Sequence, residues 1–356
     1  MRIGLVLGAG GVQGGAWLTG GLYALATETG WDPASADYIV GTSAGSMLGA
    51  LIANGVPPWF MVAHSAGERF DGLRDARGRP AAEADRSGGA GYRLDGLPRP
   101  WPGSWRLMLS AVVRPSPRSL SALIGGSMPQ GLLSTAPLKD IVRRAVPSGW
   151  ARHPNLWIVA CDYATGRRTV LGRPDSPEAH LYDAVAASCA IPGFYRPVTI
   201  DGRRYVDGGL WSTSNLDLLA REPLDAVICL NPTSSLHPPH AWNPVDRVAG
   251  VFRDTSGRTL GREARLLREQ GVRVVLVQPT REDLDAMGPN LMSRRNRHQV
   301  IEAATRTVAE QLRADEHRDV LERLPPGRPE RIRRPSGPAS RWPLRGTPAE
   351  RRAASG

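Results

Sequence analysis

The sequence predicts an α/β protein in which a mainly parallel central sheet is flanked by helices as separate layers. Short apolar runs typical of buried strands occur at residues 3–7, 38–40, 156–161, 226–230 and 272–277. Segments with helical character separate or follow them, at residues 16–27, 46–54, 177–188, 246–270 and 290–310. Strands that alternate with helices in this way are typical of a parallel sheet with crossover helices.

The chain of 356 residues divides into parts by composition. Residues 1–315 carry the strand and helix pattern, and we expect them to form one domain with a substantial core. Within it, residues 71–131 are rich in Gly, Pro, Arg and Trp, so we interpret them as an insertion that caps the site. Residues 325–356 are rich in Pro, Arg and Gly, with few apolar side chains, and we expect a disordered tail.

The net charge is unevenly distributed. The chain carries a formal charge of +11, and Lys139 is its single Lys. Eight Arg and two Glu stand in residues 325–356, so more than half of the net charge belongs to the expected tail. The remainder forms no basic stripe, which argues against nucleic-acid binding. A solvated tail is the simplest interpretation, and contact with an anionic membrane is the alternative.

The cysteines and the N-terminus bear on the compartment. Cys161, Cys189 and Cys229 are an odd number without a CxxC pair, which argues against a disulfide framework or a zinc site. Three reduced, buried thiols predict a cytoplasmic protein, with peripheral membrane contact as a further option. The apolar run at residues 3–7 is too short for a signal peptide, and no apolar run is long enough to span a membrane.

The first element with chemical content is Gly41-Thr42-Ser43-Ala44-Gly45, a G-x-S-x-G sequence between a predicted strand and a predicted helix. A sharp turn in that context lifts a serine hydroxyl out of the sheet edge, and small neighbours avoid clashes in the turn. The helix that follows favours negative charge beside the serine. Ser43 is therefore the candidate nucleophile, with Gly41 and Gly45 supporting the turn.

The second element is the glycine-rich turn Gly8-Ala9-Gly10-Gly11-Val12-Gln13-Gly14, directly after the first strand. Backbone N–H groups that converge in such a turn can stabilise the oxyanion of acyl transfer. A dinucleotide-binding loop is the rival interpretation. Such a loop would need Gly at position 13, where Gln13 stands. It would also need an acidic residue after the second strand, where the turn of Ser43 stands.

The third element is Tyr205-Val206-Asp207-Gly208-Gly209, which ends a hairpin predicted around Asp201-Gly202. A carboxylate at a strand end, followed by two glycines, is well situated to activate a hydroxyl. An ordinary Asp-Gly turn is the alternative for this sequence taken alone.

These three elements, in this order, resemble the patatin-like phospholipase family, as does the stretch Ala190-Ile191-Pro192-Gly193-Phe194 that leads towards Asp207. The resemblance implies a patatin-like α/β fold and hydrolysis of lipid acyl esters without metal or cofactor. It also implies a Ser43–Asp207 dyad, an oxyanion hole from the amides of Gly10, Gly11 and Val12, and supporting roles for Gly8, Gln13, Gly14, Gly208 and Gly209.

The chain departs from the family signature at two positions. The family would usually have Gly where Ala9 stands and Arg or Lys where Gln13 stands. We expect Ala9 to narrow backbone freedom slightly. Gln13 removes a positive charge near the oxyanion, although its side chain can still donate hydrogen bonds. Activity is therefore expected to be reduced or tuned rather than abolished.

Two other functions remain open at this stage. An α/β-hydrolase esterase with a Ser–Asp–His triad would draw its His from His237, His240 or His298, but Ser43 comes early in the chain for that fold. A catalytically inactive scaffold with the same fold is the second alternative.

The expected substrate is a lipid ester or a small ester. Trp101, Trp105 and Met108, with Arg99 and Arg106 beside them, could form an interfacial patch on an anionic membrane. A small satellite core under the insertion is an equally good interpretation. The sequence carries no signal for oligomeric state.

Overall fold

The computed structural model of the chain describes residues 1–68, 92–95, 102–113, 123, 125–147, 149–235 and 244–337. The strands are β1 (Ile3–Leu7), β2 (Tyr38–Thr42), β3 (Leu156–Asp162), β4 (Arg168–Leu171), β5 (Val198–Ile200), β6 (Arg203–Asp207), β7 (Ala226–Leu230) and β8 (Arg273–Val277). The main helices are α1 (Gly11–Thr29), α2 (Ala44–Ala53), α3 (Pro58–Ser65), α4 (Trp105–Val113), α5 (Ala136–Ala145), α6 (Leu181–Ser188), α7 (Pro244–Glu269), α8 (Arg281–Met287), α9 (Arg297–Leu312), α10 (Asp315–Leu321) and α11 (Pro329–Ile332).

One sheet organises the fold. Its strands lie in the order β5-β6-β3-β2-β1-β7-β8, and β4 pairs with β3 beside this path. The pairs that link β3, β2, β1, β7 and β8 are all parallel, whereas β4, β5 and β6 run antiparallel to their neighbours. The predicted α/β class with a mainly parallel sheet flanked by helices is therefore confirmed.

The two faces of the sheet are buried under different helices. Ile3, Leu5 and Leu7 of β1 belong to one apolar cluster, which also includes residues of α1, α2, α6 and α9. Val6 points to the opposite face and belongs to a second cluster with residues of α7. Because successive side chains of a strand point to opposite faces, β1 contributes to both cores and is fully buried.

The strand registers around β3 decide where the site forms. On β3, β2 pairs with residues 156–159, β4 with 158–161 and β6 with 160–162. Strand β4 pairs with residues of β3 that also pair with β2 or with β6, so β4 lies on one side of β3. Strands β2 and β6 therefore share the other side. They meet there end to end: Thr42 of β2 is opposite Val159, and Asp207 of β6 is opposite Ala160.

Helices α1 and α9 pack in parallel. A Cβ at Gly20 of α1 would overlap the Ile301 carbonyl of α9, so the backbones approach closely there. At the far end Glu28 binds Arg313 at 2.7 Å. The helix predicted for residues 290–310 begins only at Arg297, and residues 290–296 form a loop instead.

The C-terminal part differs from the expected domain limit and tail. Residues 325–337 are packed on the body of the protein, and α11 lies within them. Trp59 donates its indole N–H to the Glu330 carbonyl at 3.0 Å, and Arg331 pairs with Asp32 at 2.8 Å, both side chains being largely buried. These long-range contacts supply the burial that the composition of the segment does not predict. Residues 338–356 lie outside the described residues.

The expected insertion is described only in part. Leu107 of α4 is fully buried in a small cluster with Cys161, Tyr163 and Val206, which fits the satellite-core interpretation. Trp105, two residues earlier, is 61% exposed. Trp101 and Arg99 lie outside the described residues. In the part of the chain that is described, no helix is both long and apolar enough to cross a membrane.

Candidate active site

Ser43 occupies a strained turn between β2 and α2. It is 3% exposed, and its backbone has φ 53° and ψ −121°, a combination that non-glycine residues rarely adopt. The turn is tight because Gly45 packs against the end of β1: a Cβ there would overlap the Leu7 carbonyl. A Cβ at Gly41 would lie 2.6 Å from the Ser46 Cα. The two flanking glycines are therefore required by space.

Two further serines hold this turn. Ser188, at the end of α6, accepts a hydrogen bond from the Ser43 N–H at 2.9 Å and donates to the Val159 carbonyl at 2.6 Å. Ser46 donates to the Ser43 carbonyl at 2.6 Å. Ser188 thereby ties the turn to β3. Sequence reasoning missed Ser188 because a serine at the end of a helix carries no motif of its own.

Asp207 lies at the end of β6, where that strand meets β2. Its side chain is 5% exposed, and burial raises its pKa from 3.8 to about 6. Two donors oppose this shift: the Ser43 hydroxyl and the Gly209 N–H, which is 2.7 Å from Oδ1. The carboxylate and the hydroxyl predicted to work together are thus neighbours, although 164 positions of sequence separate residues 43 and 207.

The glycines after Asp207 allow close packing at this point. Gly208 lies against β3, where a Cβ would overlap the Val159 carbonyl. A Cβ at Gly209 would lie 3.0 Å from Oδ1 of Asp207 and 3.5 Å from the Ala9 Cβ. Ala9 is absent from the residues with positive φ, so its methyl group imposes no backbone strain. The reduced backbone freedom that we expected at Ala9 therefore has no effect on the conformation of the turn.

The glycine-rich turn is shorter than predicted, because α1 begins at Gly11 rather than at residue 16. Four amides of residues 8–14 already donate hydrogen bonds to backbone carbonyls: Gly8 to Leu230, Ala9 to Thr213, Gln13 to Leu291 and Gly14 to Gly10. The first N–H groups of a helix have no acceptor within it. Among the described residues, no acceptor receives the N–H of Gly10, Gly11 or Val12.

Gln13 is used to hold a neighbouring loop. The residue is 1% exposed, and its Nε2 donates to the Arg295 carbonyl at 2.6 Å. Its Oε1 is buried with no hydrogen-bond partner among the described residues. The hydrogen-bonding capacity that we expected near the oxyanion is therefore directed to the segment before α9.

Behind the serine turn lies a buried polar network that the sequence did not reveal. Asn215, with φ 53°, donates to the Thr42 hydroxyl at 3.0 Å, and Arg168 donates to its Oδ1 at 3.1 Å. Ser214, the residue before Asn215, donates to Glu263 at 2.6 Å. Burial raises the pKa of Glu263. The network braces the residue that precedes Ser43.

No described histidine bonds to Asp207, whose neighbours are Ser43 and Gly209. His298 is exposed on α9, and His237 and His240 lie outside the described residues. Within the described ranges, no group of three or more His, Cys, Asp or Glu residues could hold a metal ion. The three cysteines are free and buried.

Comparison with known protein families identifies the family of the chain. The family model of the patatin-like phospholipases matches residues 5–220, more than half of the chain. The matched range includes the glycine-rich turn, Ser43 and Asp207, and it ends before β7. No curated protein matches the chain. The resemblance stated from the sequence motifs is thereby confirmed at the level of the family.

Proposed function

The chain belongs to the patatin-like phospholipase family of lipid acyl hydrolases, and from this we propose a serine hydrolase that cleaves carboxylic esters of lipids with Ser43 and Asp207. The observation that carries the proposal is the meeting of β2 and β6 on one side of β3. This meeting brings a hydroxyl on a strained turn beside a buried carboxylate. Three free amides at the start of α1 lie at the end of the neighbouring strand β1.

In the proposed reaction, the Ser43 Oγ attacks the carbonyl carbon of the ester while Asp207 accepts the hydroxyl proton. The tetrahedral oxyanion is stabilised by the amides of Gly10, Gly11 and Val12. Its collapse breaks the bond to the alcohol, which leaves with the proton from Asp207. Water then attacks the acyl-serine and gives up a proton to Asp207. Collapse of this second tetrahedral intermediate breaks the bond to the Ser43 Oγ, which takes the proton back from Asp207 as the fatty acid leaves.

Burial of Asp207 supports its role as a base. A carboxylate with the ordinary pKa near 4 has little affinity for a proton. The pKa of about 6 gives Asp207 greater basicity while leaving it mostly ionised at neutral pH. The positive end of α2, which begins beside Ser43, favours negative charge at the serine.

Labelling with a fluorophosphonate probe tests the nucleophile. We expect wild-type protein to be labelled and to hydrolyse a medium-chain ester, and Ser43→Ala to lose both properties. Asp207→Asn should lose ester hydrolysis while retaining its fold by circular dichroism. Ser35→Ala, an exposed serine, is the matched control and should behave as wild type. Equal labelling of Ser43→Ala and wild type would refute the proposal, and an unlabelled wild type would favour an inactive scaffold.

The triad alternative is tested by substituting the histidines that follow Asp207. A dyad enzyme should retain activity in His237→Ala, His240→Ala and His298→Ala, whereas a triad enzyme should lose it in one of them. The neighbours of Asp207 favour the dyad, because they are a hydroxyl and a backbone amide.

Peripheral contact with an anionic membrane forms part of the proposal, together with a cytoplasmic location for a protein with three reduced thiols. Several large apolar side chains are exposed on segments that touch one another, and Arg106 lies over the Trp105 ring. The exposed apolar side chains are Tyr92, Leu94, Trp105, Leu109, Met128 and Leu132. Aromatic and basic groups together suit the headgroup region of a bilayer.

Flotation with vesicles of phosphatidylglycerol tests this contact. Trp105→Ser with Leu109→Ser should reduce binding, because both exposed side chains are replaced by polar ones. Leu266→Ser, which replaces an exposed leucine of α7, is the control and should bind as wild type. Binding that is unchanged in the double variant contradicts the membrane proposal.

A further inference from the structure

Three consecutive residues at the end of α6 contact both proposed catalytic residues. Ser188 is the last residue of α6, and Cys189 and Ala190 follow it; together they are here called the 188–190 segment. The segment is inside the protein, because Ser188 and Ala190 are fully buried and Cys189 is 8% exposed. The reaction proposed above assigns no task to these residues.

The first residue of the segment holds Ser43. The Ser188 hydroxyl accepts a hydrogen bond from the Ser43 N–H at 2.9 Å, and it donates to the Val159 carbonyl of β3 at 2.6 Å. Because this hydroxyl both accepts and donates, its orientation is fixed, and it fixes the backbone of Ser43 relative to that carbonyl. Ser43 needs such support, since a strained backbone with φ 53° persists only where surrounding contacts hold it.

The last residue of the segment holds Asp207. The Asp207 N–H donates to the Ala190 carbonyl at 3.0 Å. The Val159 carbonyl that accepts from Ser188 is also the group against which Gly208 packs, since a Cβ at Gly208 would overlap it. The backbones of both proposed catalytic residues are therefore bonded to one short segment, and both adjoin one carbonyl of β3.

The middle residue of the segment lies against the serine turn without adding charge. The Cys189 Sγ is 3.8 Å from the Ser46 Oγ, and the thiol also interacts with the Ser43 hydroxyl. Burial, followed by the charge of Asp207, raises the pKa of this thiol to about 12, so the thiol stays protonated. The Cys161 thiol, which also faces Asp207, stays protonated for the same reason. The side-chain donor to Asp207 is the Ser43 hydroxyl.

We propose that Ser188 is a positioning residue, whose hydroxyl keeps the Ser43 side chain directed at Asp207 by holding the backbone of the serine turn. The inference rests on the proposed acyl hydrolase function and adds a residue that supports its catalytic pair. Without the Ser188 hydroxyl, the buried N–H of Ser43 would lose its acceptor, which costs free energy. We expect the strained turn to relax in response, and this relaxation would turn the Ser43 hydroxyl away from Asp207.

The pKa of Asp207 reports this arrangement without any turnover. Donation from the Ser43 hydroxyl lowers this pKa, so loss of the alignment should raise it above its wild-type value of about 6. Carbon-13 NMR titration of the aspartate carboxyls measures it, and Asp207→Asn identifies the signal. We expect a rise in Ser188→Ala and a rise at least as large in Ser43→Ala. The double variant should match Ser43→Ala, because Ser188 acts through that hydroxyl.

Ester hydrolysis gives a second measurement. Ser188→Ala should lower kcat about tenfold or more and change KM less than twofold, because the misalignment affects the reacting atoms rather than substrate binding. The midpoint of the pH profile should rise together with the pKa of Asp207. If Ser188→Ala does not fold, Ser188→Cys replaces it, since a thiol is a weak donor and acceptor and should produce a smaller rise of the same kind.

Ser104→Ala is the matched control. The Ser104 hydroxyl is buried, donates to the Tyr163 carbonyl at 2.7 Å and accepts from the Leu107 N–H at 3.3 Å, so its removal also deletes one bond of each kind. We expect this variant to lose stability while kcat and the pKa of Asp207 stay at their wild-type values.

Three outcomes would overturn the inference: an unchanged pKa of Asp207 in Ser188→Ala, a further rise in the double variant, or equal effects of Ser188→Ala and Ser104→Ala on kcat. The NMR titration does not depend on ester hydrolysis or on labelling of Ser43. Failure of the proposed function, shown by an unlabelled and inactive wild type, is therefore distinguishable from failure of this inference.

Discussion

Acidification should switch off the proposed enzyme at a pH set by the burial of Asp207. The base must be ionised to accept the serine proton, and its pKa is about 6. At that pKa about nine-tenths of Asp207 is ionised at pH 7 but only about one-tenth at pH 5. We therefore expect kcat/KM for a soluble ester to fall about tenfold between pH 7 and pH 5, with a midpoint near pH 6.

Burial of Asp207 also affects the free energy of unfolding. This effect depends on pH in the opposite direction to activity: activity increases as Asp207 ionises, whereas stability decreases. The rise from 3.8 to about 6 corresponds to ~3 kcal/mol. Because the pKa is raised by folding, this stability is fully present below about pH 4 and is lost as pH rises through about 6. Asp207→Asn stays neutral at every pH. Its free energy of unfolding, relative to wild type, should therefore increase by up to ~3 kcal/mol between pH 4 and pH 8.

Two measurements examine this reasoning together: the pH profile of kcat/KM, and denaturant unfolding of wild type and Asp207→Asn at several pH values. Activity that persists undiminished to pH 5, with the fold intact, would show that Asp207 titrates at its ordinary pKa or is not the base. A stability difference that is independent of pH would show that its carboxylate is not desolvated. A loss of wild-type structure at pH 5, followed by circular dichroism, would need to be excluded first.

Three further predictions concern the fold around the site. Ser43→Gly should abolish activity yet raise the free energy of unfolding by about 1 kcal/mol, because glycine tolerates φ 53° without strain; a lower melting temperature would contradict this. Gly45→Ala should lower that free energy by about 3 kcal/mol or more, because its methyl group overlaps the Leu7 carbonyl. Gly261→Ala, in open space on α7, should instead stabilise by about 0.5–1 kcal/mol, and similar melting temperatures for the two alanine variants would refute the packing argument. Truncation after Leu324 should destabilise the protein by ~3 kcal/mol, because it leaves Asp32 without Arg331; unchanged denaturant unfolding would show that residues 325–337 do not contribute.

The local pattern of the chain carried much of the fold and the candidate residues of the site. Strand β7 was predicted at its observed bounds, because a run of five buried residues between turns is readable without tertiary information. Asp201 and Gly202 both have positive φ in the turn of the predicted hairpin, as the Asp-Gly pair indicates. Ser43 and Asp207 were predicted as candidates because the proposed role of each depends on small neighbours that stand beside it in the chain.

Other features depend on contacts that are remote in sequence. The segment 290–296 has helix-forming residues, but its carbonyls are bonded by Gln13, and these bonds hold it as a loop over Gly11. Residues 325–337 look disordered by composition, yet Trp59 and Asp32 bind them. The pKa of Asp207 is likewise raised by burial, which no local pattern specifies.

Amino-acid order alone thus predicted the candidate catalytic residues, since a serine turn, a glycine-rich turn and an Asp-Gly-Gly strand end are local patterns. Their distances depended on the pairing of β2 and β6 along β3, where Thr42 and Asp207 face consecutive residues. Strand register follows from the burial of whole faces and from long-range hydrogen bonds. For that reason the neighbourhood of Ser43 and Asp207 emerged only when the chain was folded.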